Sequence, residues 1–281
     1  MSLRTSDAHC HANPIRGALG PRALARKFSR SGGWFLCLVN LLSWSYGLEI
    51  SRPEDYAKMY ELTIKAAREV EEEGVRAAAI LGPHPAELAK LVQRGKKPGE
   101  AATFLARAYD IAAEYVRRGL AVGLGEVGRP HWDAPRSVVE ACNGVLDYVL
   151  VLSRDLDCIV HLHLERRGLA TLEDLERRVK KSGAKRVVLH HAEAELVAEA
   201  RARGLYPSVP ARLADLGSAL AQGPCFIVES DYLDDPRRPG AVVAPWSISR
   251  TAKRLLSRGA REEDLRTVFV ENIRELYRLH E

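Results

Sequence analysis

The apolar residues of this chain fall into two alternating patterns. Short, nearly continuous apolar runs are typical of strands that are buried on both faces. They predict eight strands, at Arg4 to His9, Trp34 to Leu42, Val75 to Leu81, Ala121 to Gly125, Cys158 to His163, Arg186 to His190, Leu205 to Val209 and Cys225 to Glu229. Longer stretches with apolar residues every three or four positions predict helices. The clearest are Pro53 to Glu73, Gly99 to Arg118, Arg136 to Arg154, Thr171 to Ser182, Glu193 to Arg203, Ala211 to Gln222 and Ile248 to Arg258.

Strands that alternate with helices along the whole chain indicate βαβ units and a parallel sheet. A count of eight favours an α/β fold of the (β/α)₈ TIM-barrel class over an open, doubly wound sheet. No glycine-rich dinucleotide or P-loop motif supports the open sheet, and no Ser-, Gly- or Pro-rich linker divides the chain. We therefore expect a single barrel domain over residues 1–281, with functional side chains at the carboxyl ends of the strands.

Polar residues cluster at these predicted strand ends. The segments concerned are His9-Cys10-His11, Gly82-Pro83-His84-Pro85, Gly125 to His131, His161-Leu162-His163, His190-His191 and Glu229-Ser230-Asp231. Of the nine histidines, only His280 at the C-terminus lies away from this predicted mouth of the barrel. The sequence therefore predicts a site rich in imidazole and carboxylate groups.

His9 and His11 have the spacing of a metal-binding pair. Side chains two residues apart on a strand point to the same side, so both imidazoles can reach one ion, with Asp7 behind them as a hydrogen-bonding partner. The pair alone also fits two histidines with no shared role. Imidazole and carboxylate are common ligands of zinc, manganese and iron, and Glu126 can bridge two ions that activate water. Asp231, after the last strand, is placed to be both a ligand and the acceptor of the water's proton.

The histidines of strands five and six leave choices open. His163 lies nearer the barrel mouth than His161 and is the favoured ligand, with His161 expected in a layer inside the barrel. His190 and His191 point in opposite directions, and periodicity cannot choose between them in a strand buried on both sides. His84, before a proline in a tight turn, either contacts substrate or hydrogen-bonds the backbone of its loop.

Length and composition narrow the class of protein. At 281 residues and 46% hydrophobic content, the chain has enough apolar residues for a large core. No apolar run has the roughly 18 to 20 uncharged residues of a membrane span. The stretch from Gly33 to Tyr46 is too short and too far from the N-terminus for a secretory signal, so we expect a cytoplasmic protein. The five cysteines lack paired spacing, which disfavours disulfides, and a composition rich in Arg and Glu but poor in Asn and Gln suggests a thermophilic source.

Taken in order, these motifs resemble the TatD-type metal-dependent hydrolases of the amidohydrolase superfamily. The resemblance is carried by Asp7 with His9-Cys10-His11, Gly82-Pro83-His84-Pro85, Gly125-Glu126-Val127-Gly128, one histidine after each of strands five and six, and Glu229-Ser230-Asp231. It extends to Glu271-Asn272 and covers nearly the whole chain. Three further segments resemble an archaeal branch of the family, namely Gly128-Arg129-Pro130-His131, Tyr206-Pro207-Ser208-Val209 and Asp231 to Gly240.

The resemblance implies a (β/α)₈ barrel with a two-metal site and one or two divalent ions, Zn, Mn or Mg, as cofactors. It implies a role for each of six residues in this site. His9 and His11 would bind the first ion, His163 and His190 the second, with Glu126 as the bridge and Asp231 as a further ligand of the first ion and as the base. The archaeal branch typically carries a Glu two residues after its fifth-strand histidine, as Glu165 stands here.

Glu165 is also a departure from the nucleases of the family, which usually carry an arginine at that place. Arginine binds phosphate bidentately, so other arginines could supply the contact, although each also fits a surface ion pair. The candidates for an anion contact are Arg129, Arg237, Arg238 and Arg250. We expect His84, His131 and Arg129 to contact substrate. The segment from Asn13 to Gly33 is rich in basic residues and is either a substrate-binding lid or a helix on the barrel rim.

The functional hypothesis is a divalent-metal hydrolase in which an activated hydroxide attacks a phosphoester, with deoxyribonuclease activity as its specific form. The net charge of +5 favours an anionic small molecule or a nucleic acid as substrate, and we expect no membrane and no obligate protein partner. An amide, lactone or carboxylic ester hydrolase is the rival among enzymes. A non-catalytic binding protein is disfavoured because all six ligand positions are filled.

Overall fold

The computed structural model of the protein describes residues 3–237 and 242–279. Within these residues, a single parallel sheet of nine strands curls on itself, with helices between the strands. The strands are β1 (Thr5–His11), β2 (Gly33–Val39), β3 (Arg76–Leu81), β4 (Gly123–Gly128), β5 (Ile159–His163), β6 (Arg186–Leu189), β7 (Leu205–Pro210), β8 (Ile227–Glu229) and β9 (Tyr232–Leu233). Neighbours in the sheet follow chain order from β1 to β8, as in a TIM-barrel-like fold.

All seven predicted helices are present, with ends that differ by a few residues. The helices of the described residues are α1 (Gly20–Arg30), α2 (Tyr56–Glu71), α3 (Pro85–Gln93), α4 (Pro98–Arg117), α5 (Arg136–Asp155), α6 (Leu169–Ser182), α7 (Val197–Ala202), α8 (Leu213–Ala221), α9 (Ile248–Leu256), α10 (Glu262–Arg266) and α11 (Asn272–Tyr277). A π-helical turn, Thr267–Glu271, joins the last two. None of the helices in the described part of the chain is long and apolar enough to cross a membrane.

The first and last strands meet at a seam. β9 pairs in parallel with β1, where Cys10 lies opposite Tyr232, and the Asp231 N–H donates to the His9 carbonyl at 2.9 Å. The predicted last strand, Cys225 to Glu229, is the short β8, and β9 follows it after a two-residue break. Within the described residues the sheet therefore has nine strands rather than the predicted eight, and β9 lies beside β1.

A buried carboxylate fastens this seam. Asp7 on β1 is fully buried, and its Oδ1 atom accepts hydrogen bonds from the backbone N–H of Ser230 at 2.8 Å and from that of His9 at 3.2 Å. Burial, the largest influence on the group, raises the pKa of Asp7 to about 7. Asp7 therefore bonds to backbone on both sides of the seam and not to the imidazoles in front of it.

β1 and β4 extend further toward the mouth than the sequence predicts, and every residue of both strands is buried. This extension places His11 and Glu126 inside strands. Glycine usually weakens a strand, which is why the prediction for the fourth strand ends at Gly125. In the structure the glycines of β4 instead allow a close approach of β5. A Cβ atom on Gly128, whose φ is +151°, would lie 2.0 Å from the carbonyl oxygen of His163.

About half of the segment from Asn13 to Gly33 is the helix α1, as the alternative of a rim helix predicts. Arg26 of α1 forms an ion pair with Glu73 at 2.7 Å, just beyond α2. The backbone N–H of Gly20 donates to Asp234 at 2.9 Å. These contacts attach α1 to the end of α2 and to the segment after β9.

Glu87, in the first turn of α3, fixes the loop that follows β2. Its side chain is buried and accepts hydrogen bonds from the Ser43 N–H at 2.7 Å, from the Ser43 hydroxyl at 3.1 Å and from the Tyr56 hydroxyl at 3.1 Å. Burial is the largest influence and raises the pKa of Glu87 above its ordinary value, against the lowering effect of these hydrogen bonds.

We predict that Glu87 makes stability depend on pH in a defined direction. Its pKa is raised on folding, so its contribution is complete below the ordinary pKa of 4.5 and is lost as pH rises through the folded-state pKa. The unfolding free energy of the wild type minus that of Glu87→Gln should therefore fall as pH rises. Urea unfolding from about pH 4 to about pH 8 measures this difference, and a difference that grows with pH would contradict the assignment.

We predict opposite effects for two glycine-to-alanine substitutions. Gly128→Ala should lower the unfolding free energy by about 1–3 kcal/mol or more, because β4 and β5 must separate to admit the methyl group. Gly144→Ala is the matched control, since Gly144 is exposed on α5 and a Cβ there meets nothing within 4 Å. It should raise the unfolding free energy by about 0.5–1 kcal/mol. Urea unfolding of both variants tests this, and equal effects would show that the β4–β5 approach is not restrictive.

Candidate metal centre

The six side chains predicted as metal ligands converge at the mouth of the sheet. They come from the ends of β1, β4 and β5, from the residue after β6 and from the link between β8 and β9. These six ligand candidates are His9, His11, Glu126, His163, His190 and Asp231. Ligand atoms of His9, His11 and Glu126 lie within 4.8 Å of one another, and so do those of His9, His190 and Asp231. The structure thus brings together residues that are up to 222 positions apart in the sequence, counted from His9 to Asp231.

Glu126 lies at the centre of the cluster, with a pair of imidazoles facing each of its oxygens. Its Oε2 atom lies 3.5 Å from Nε2 of His9 and 3.8 Å from Nε2 of His11. Its Oε1 atom lies 3.1 Å from Nδ1 of His163 and 3.6 Å from Nε2 of His190. A carboxylate in this position can bridge two cations, with one histidine pair completing each side.

Hydrogen bonds at the rear nitrogens of His11 and His190 fix which ring nitrogen faces the cluster. Nδ1 of His11 lies 2.9 Å from the Val39 carbonyl, and Nδ1 of His190 lies 2.7 Å from Oε2 of Glu229. Both acceptors require an N–H, so the proton is on Nδ1 in each neutral ring. Nε2 then presents its lone pair to the carboxylates of the cluster, as in metal-binding histidines oriented by a second hydrogen bond.

His9 and His163 have other histidines behind them. Nδ1 of His9 lies 3.1 Å from Nδ1 of His161, and Nε2 of His163 lies 2.5 Å from Nδ1 of His131. When His9 and His163 donate in these contacts, their remaining nitrogens face Glu126. Nε2 of His9 is buried and has no hydrogen-bond partner in the described part of the chain. Buried polar atoms are normally satisfied, so this nitrogen fits a bound cation.

Asp231 is held from both sides. Its Oδ1 atom lies 3.3 Å from Nε2 of His11 and 3.9 Å from Nε2 of His190, whereas its Oδ2 atom lies 3.0 Å from Nε2 of His191. The backbone N–H of His191 donates to Oε1 of Glu229 at 3.0 Å. Asp231 and His191 both have left-handed backbone, with φ of +44° and +54°, a conformation that non-glycine residues rarely adopt outside constrained sites. The turn after β8 is thus built to aim this carboxylate at the cluster.

Burial and charge oppose each other at the carboxylates. Burial would raise the pKa of Glu126, but the imidazoles around it, His9 first among them, lower that pKa well below its ordinary value. Burial likewise opposes ionisation of Asp231, and its contacts with His11 and His191 outweigh it and lower the pKa. Both carboxylates are therefore ionised at neutral pH and able to bind cations.

The two neighbouring histidines after β6 differ in charge. Burial lowers the pKa of His190 to about 4, although Glu229 opposes the shift. The ring is therefore neutral near pH 7 and can offer a lone pair to a metal. Burial acts the same way on His191, but Glu229 and Asp231 outweigh it and raise the pKa of His191 to about 10. His191 is therefore a charged partner of Asp231, and His190 has the form of a ligand.

His84 lies beside the cluster but has a different tautomer. Its ring centroid lies 4.3 Å from that of His163, and its ligand atoms group with those of Glu126 and His163. Its Nδ1 atom, however, accepts a hydrogen bond from the Ala86 N–H at 3.0 Å. Burial, followed by the charge of His163, lowers the pKa of His84 well below its ordinary value. A neutral ring whose Nδ1 accepts carries its proton on Nε2, so His84 offers a hydrogen-bond donor and not a metal ligand.

Arg129 does not line the pocket, contrary to the prediction that it contacts substrate. Its buried guanidinium forms two hydrogen bonds with Glu165, at 2.8 and 2.9 Å. It also donates to Asp174 at 2.5 Å and to Asn143 at 3.2 Å. These partners occupy the guanidinium, which the sequence could not show because they come from three separate segments.

An open pocket of about 1240 Å³ gives access to the cluster. Every ligand candidate except His9 lines it, and so do His84 and His131, the two other predicted substrate contacts. Its walls include the indoles of Trp44 and Trp132. The ring of Trp132 is stacked on that of His84, with centroids 6.3 Å apart. A substrate in this pocket meets both polar and aromatic groups.

Four arginines also line the pocket, namely Arg166, Arg167, Arg212 and Arg237. Of the other anion contacts considered from the sequence, Arg250 is not among the lining residues and Arg238 lies outside the described residues. The cations at the pocket therefore come mainly from the loops after β5 and β7.

Sequence reasoning missed the groups that stand behind the ligands. Glu229, which bonds both His190 and the His191 backbone, was visible only as a neighbour of Asp231 in Glu229-Ser230-Asp231. The placement of His161 behind His9 follows the barrel-layer expectation for that residue. No signal in the sequence pointed to the pairing of Arg129 with Glu165.

Comparison with known proteins gives a family for this arrangement. The model of the family described as TatD related DNase matches residues 6–278. The uncharacterized protein MJ1127 of Methanocaldococcus jannaschii is 28% identical over 280 residues, which cover 98% of this chain and 96% of that protein.

Two solved structures illustrate the shared fold. YJJV, a TatD homolog from Escherichia coli, has a TM-score of 0.66 at 16% identity and is matched over 100% of both chains. The phosphotriesterase homology protein from Escherichia coli, complexed with phosphate in its active site, has a TM-score of 0.63 at 12% identity over 99% of both chains. At these identities the likeness concerns the fold.

We predict that Glu126 is required for metal binding. Glu126→Gln removes the negative charge between the two histidine pairs, so the affinity for Zn²⁺ or Mn²⁺ should fall by about 100-fold or more. Isothermal titration and elemental analysis after dialysis measure the affinity and the bound metal. Glu140→Gln is the control, because Glu140 is exposed on α5 and paired with Arg136 away from the cluster. Wild-type metal content in Glu126→Gln would refute the role of this carboxylate.

Proposed function

Because the chain belongs to the TatD related DNase family, we propose that it is a divalent-metal-dependent hydrolase of phosphoesters, with deoxyribonuclease activity as its specific form. The observation that carries this proposal is Glu126, whose two oxygens face two separate pairs of imidazoles. Two-metal hydrolytic sites use such a bridging carboxylate. The phosphate in the active site of the phosphotriesterase homology protein supports a phosphoryl substrate for this fold.

The six ligand candidates divide between two ion positions. His9, His11 and Asp231 belong to the first position and His163 and His190 to the second, with Glu126 shared. When bound, divalent ions lower the pKa of water and stabilise negative charge on the phosphoryl oxygens. The protein's own part is to keep the imidazoles oriented through their rear hydrogen bonds, which also maintains the basicity of the ligand nitrogen.

Asp231 is the general base of the proposed reaction. It is ionised, and its Oδ1 atom faces the cluster between His11 and His190. This oxygen accepts the proton of the attacking water, while the hydrogen bond from His191 to Oδ2 keeps the carboxylate in place. A base contributes to the rate only when it is held within reach of the proton it takes, and the turn after β8 supplies that constraint.

His84 and His131 act on the substrate side. The Nε2–H group of His84 donates a hydrogen bond to a phosphoryl oxygen, which its tautomer permits and a metal-binding tautomer would not. Such a donor stabilises charge that develops in the transition state. His131 orients His163 and lines the pocket at the same time.

The same proposal extends to the fold. β8 and β9 are one strand interrupted at the turn that carries Asp231, and the sheet is the (β/α)₈ barrel of the family. At this interruption the backbone turns, and the backbone N–H of Asp231 donates to the His9 carbonyl of β1.

An amide, lactone or carboxylic ester hydrolase on the same site is the rival function. Its substrates are neutral, whereas two of the arginines that line this pocket, Arg166 and Arg167, have no ion pair among the described residues. A neutral ester gains little from those charges, which favours the phosphoester. A non-catalytic binding protein would not need an ionised carboxylate directed between two histidine pairs.

We predict that the protein hydrolyses bis(p-nitrophenyl) phosphate and single-stranded DNA, and that chelation abolishes both activities. Asp231→Asn should reduce the rate by about 10²–10⁴-fold, the usual contribution of a general base. Asp155→Asn, an exposed position at the end of α5, is the control and should leave the rate unchanged. Lactones, p-nitrophenyl acetate and an N-acyl amide complete the panel. Turnover of these neutral substrates without phosphodiester cleavage would overturn the phosphoester assignment.

A further inference from the structure

We infer that Arg166 binds a charged phosphoryl oxygen of the substrate and that Arg129 and Glu165 position it for this contact. The inference rests on the proposed function, because it names the group that the pocket recognises beside the bond that is cleaved. It concerns the loop of residues 164–168, which joins β5 to α6.

The arginines at the pocket differ in how far their charge is already used. Arg212 lies 3.9 Å from Asp215, and Arg237 lies 3.3 Å from Asp235. Within residues 3–237 and 242–279, the guanidinium groups of Arg166 and Arg167 have no ion pair and no hydrogen bond to another residue, and Arg166 is the nearer of the two to His163 along the chain. A cation that lines a pocket without a protein partner is available to an anionic ligand.

Arg166 also belongs to the part of the chain that carries a ligand candidate. It follows the ligand candidate His163 by three residues. It lines the pocket together with His131 and His163. His131 is in direct contact with His163, a ligand candidate of the second ion position, so Arg166 and that position share one pocket.

The loop that carries Arg166 is fixed at both ends. The backbone N–H of Arg129 donates to the His163 carbonyl at 2.9 Å, and this bond connects the end of β5 to the end of β4. On the other side, the hydroxyl of Thr171 accepts from the Arg167 N–H at 3.2 Å and donates to the Glu165 carbonyl at 3.3 Å. A contact residue on a fixed loop loses little conformational entropy when it binds.

Glu165 would oppose an anion at this place if it were unpaired, since its carboxylate is adjacent to Arg166 and lines the same pocket. The two hydrogen bonds from Arg129 neutralise it. Arg129 is therefore a positioning residue, because it keeps Glu165 from pairing with Arg166 and from repelling the substrate. This role accounts for a buried arginine next to the site that does not line the pocket.

The chemistry of the guanidinium identifies the ligand class. Its planar fork forms two parallel hydrogen bonds with phosphate oxygens. A phosphodiester carries such charged oxygens, whereas a lactone, an amide or a carboxylic ester does not. Arg166 thus selects a phosphodiester over a neutral ester at the same metal centre.

The test measures binding, so it does not depend on turnover. The probes are two thymidine dinucleotides that resist hydrolysis, one with a charged phosphorothioate linkage and one with a neutral methylphosphonate linkage, titrated calorimetrically into the metal-loaded protein. Arg166→Ala should weaken binding of the charged probe by about 10–100-fold, as for a hydrogen bond to a charged group, and should leave the neutral probe nearly unchanged. Arg166→Lys should recover part of the loss.

Arg258→Ala is the control, because it removes the same charge from an exposed position beyond α9 that does not line the pocket. It should change the affinity for the charged probe by less than about 3-fold, the effect of a distant surface charge. Equal losses in Arg166→Ala and Arg258→Ala, or equal losses for both probes in Arg166→Ala, overturn the assignment of the contact to Arg166.

The positioning role has its own test. Arg129→Gln leaves Glu165 unpaired beside Arg166 and should lower the affinity for the charged probe by about 10-fold or more. The double variant Arg129→Gln with Glu165→Gln should restore this affinity. A residue that only supported the fold would give no such rescue, so failure of the double variant to recover overturns this part. Glu165→Gln alone must not lower the affinity for the charged probe. This single variant tests the positioning role even if Arg129→Gln does not fold.

Failure of this inference differs from failure of the proposed function. If the wild type cleaves phosphodiesters and Arg166→Ala binds the charged probe normally, the inference is wrong and the proposed function stands. If the charged probe depends on Arg166 but no phosphodiester is cleaved, the proposed function is wrong and the contact stands.

Discussion

The candidate site depends on the seam between β1 and the β8–β9 turn, because its first and last ligand candidates come from opposite ends of the chain. The Oδ1 atom of Asp7 accepts from the backbone of both sides of the seam, and the Asp231 N–H donates to the His9 carbonyl. These backbone contacts set the positions of His9 and Asp231 independently of the chemistry of their side chains. Asp7 joins the two sides of the seam through a single oxygen atom. This junction has an energetic cost, because burial disfavours the charged carboxylate and raises the pKa of Asp7 to about 7.

Four imidazoles become usable ligands because each has a defined partner behind it. The partners are a backbone carbonyl for His11, a carboxylate for His190 and a second imidazole for each of His9 and His163. The carbonyl and the carboxylate accept only, so they fix the tautomers of His11 and His190 that leave a lone pair toward the cluster. His9 and His163 have the same form when they donate to the imidazoles behind them. The partner of His84 has the opposite effect. The backbone N–H of Ala86, at the start of α3, donates to Nδ1 of His84, so the proton of this ring is on Nε2 and faces the pocket.

The sequence alone was sufficient for a TIM-barrel-like α/β fold and for bringing the six ligand candidates to one place, because the polar residues of parallel strands gather at their carboxyl ends. It was insufficient where the outcome depends on contacts between distant segments. β9 is two residues long and, among the described residues, pairs with β1 alone, so no local sequence pattern predicts it. The role of Arg129 could not be read from its position after β4, since its partners lie on the β5–α6 loop and on two helices.

Because β4 and β5 approach closely at Gly128, the spacing of the ligand candidates and the charge of the pocket wall depend on different parts of the protein. The spacing of Glu126 from His163 is set by backbone against backbone, with no room for even a methyl group, so it does not respond to exchanges of surrounding side chains. The charge of the pocket wall, in contrast, depends on side chains of the loops after β5, β7 and β9. Substitutions in these loops can therefore change the charge that a ligand meets while the spacing of Glu126 from His163 is kept.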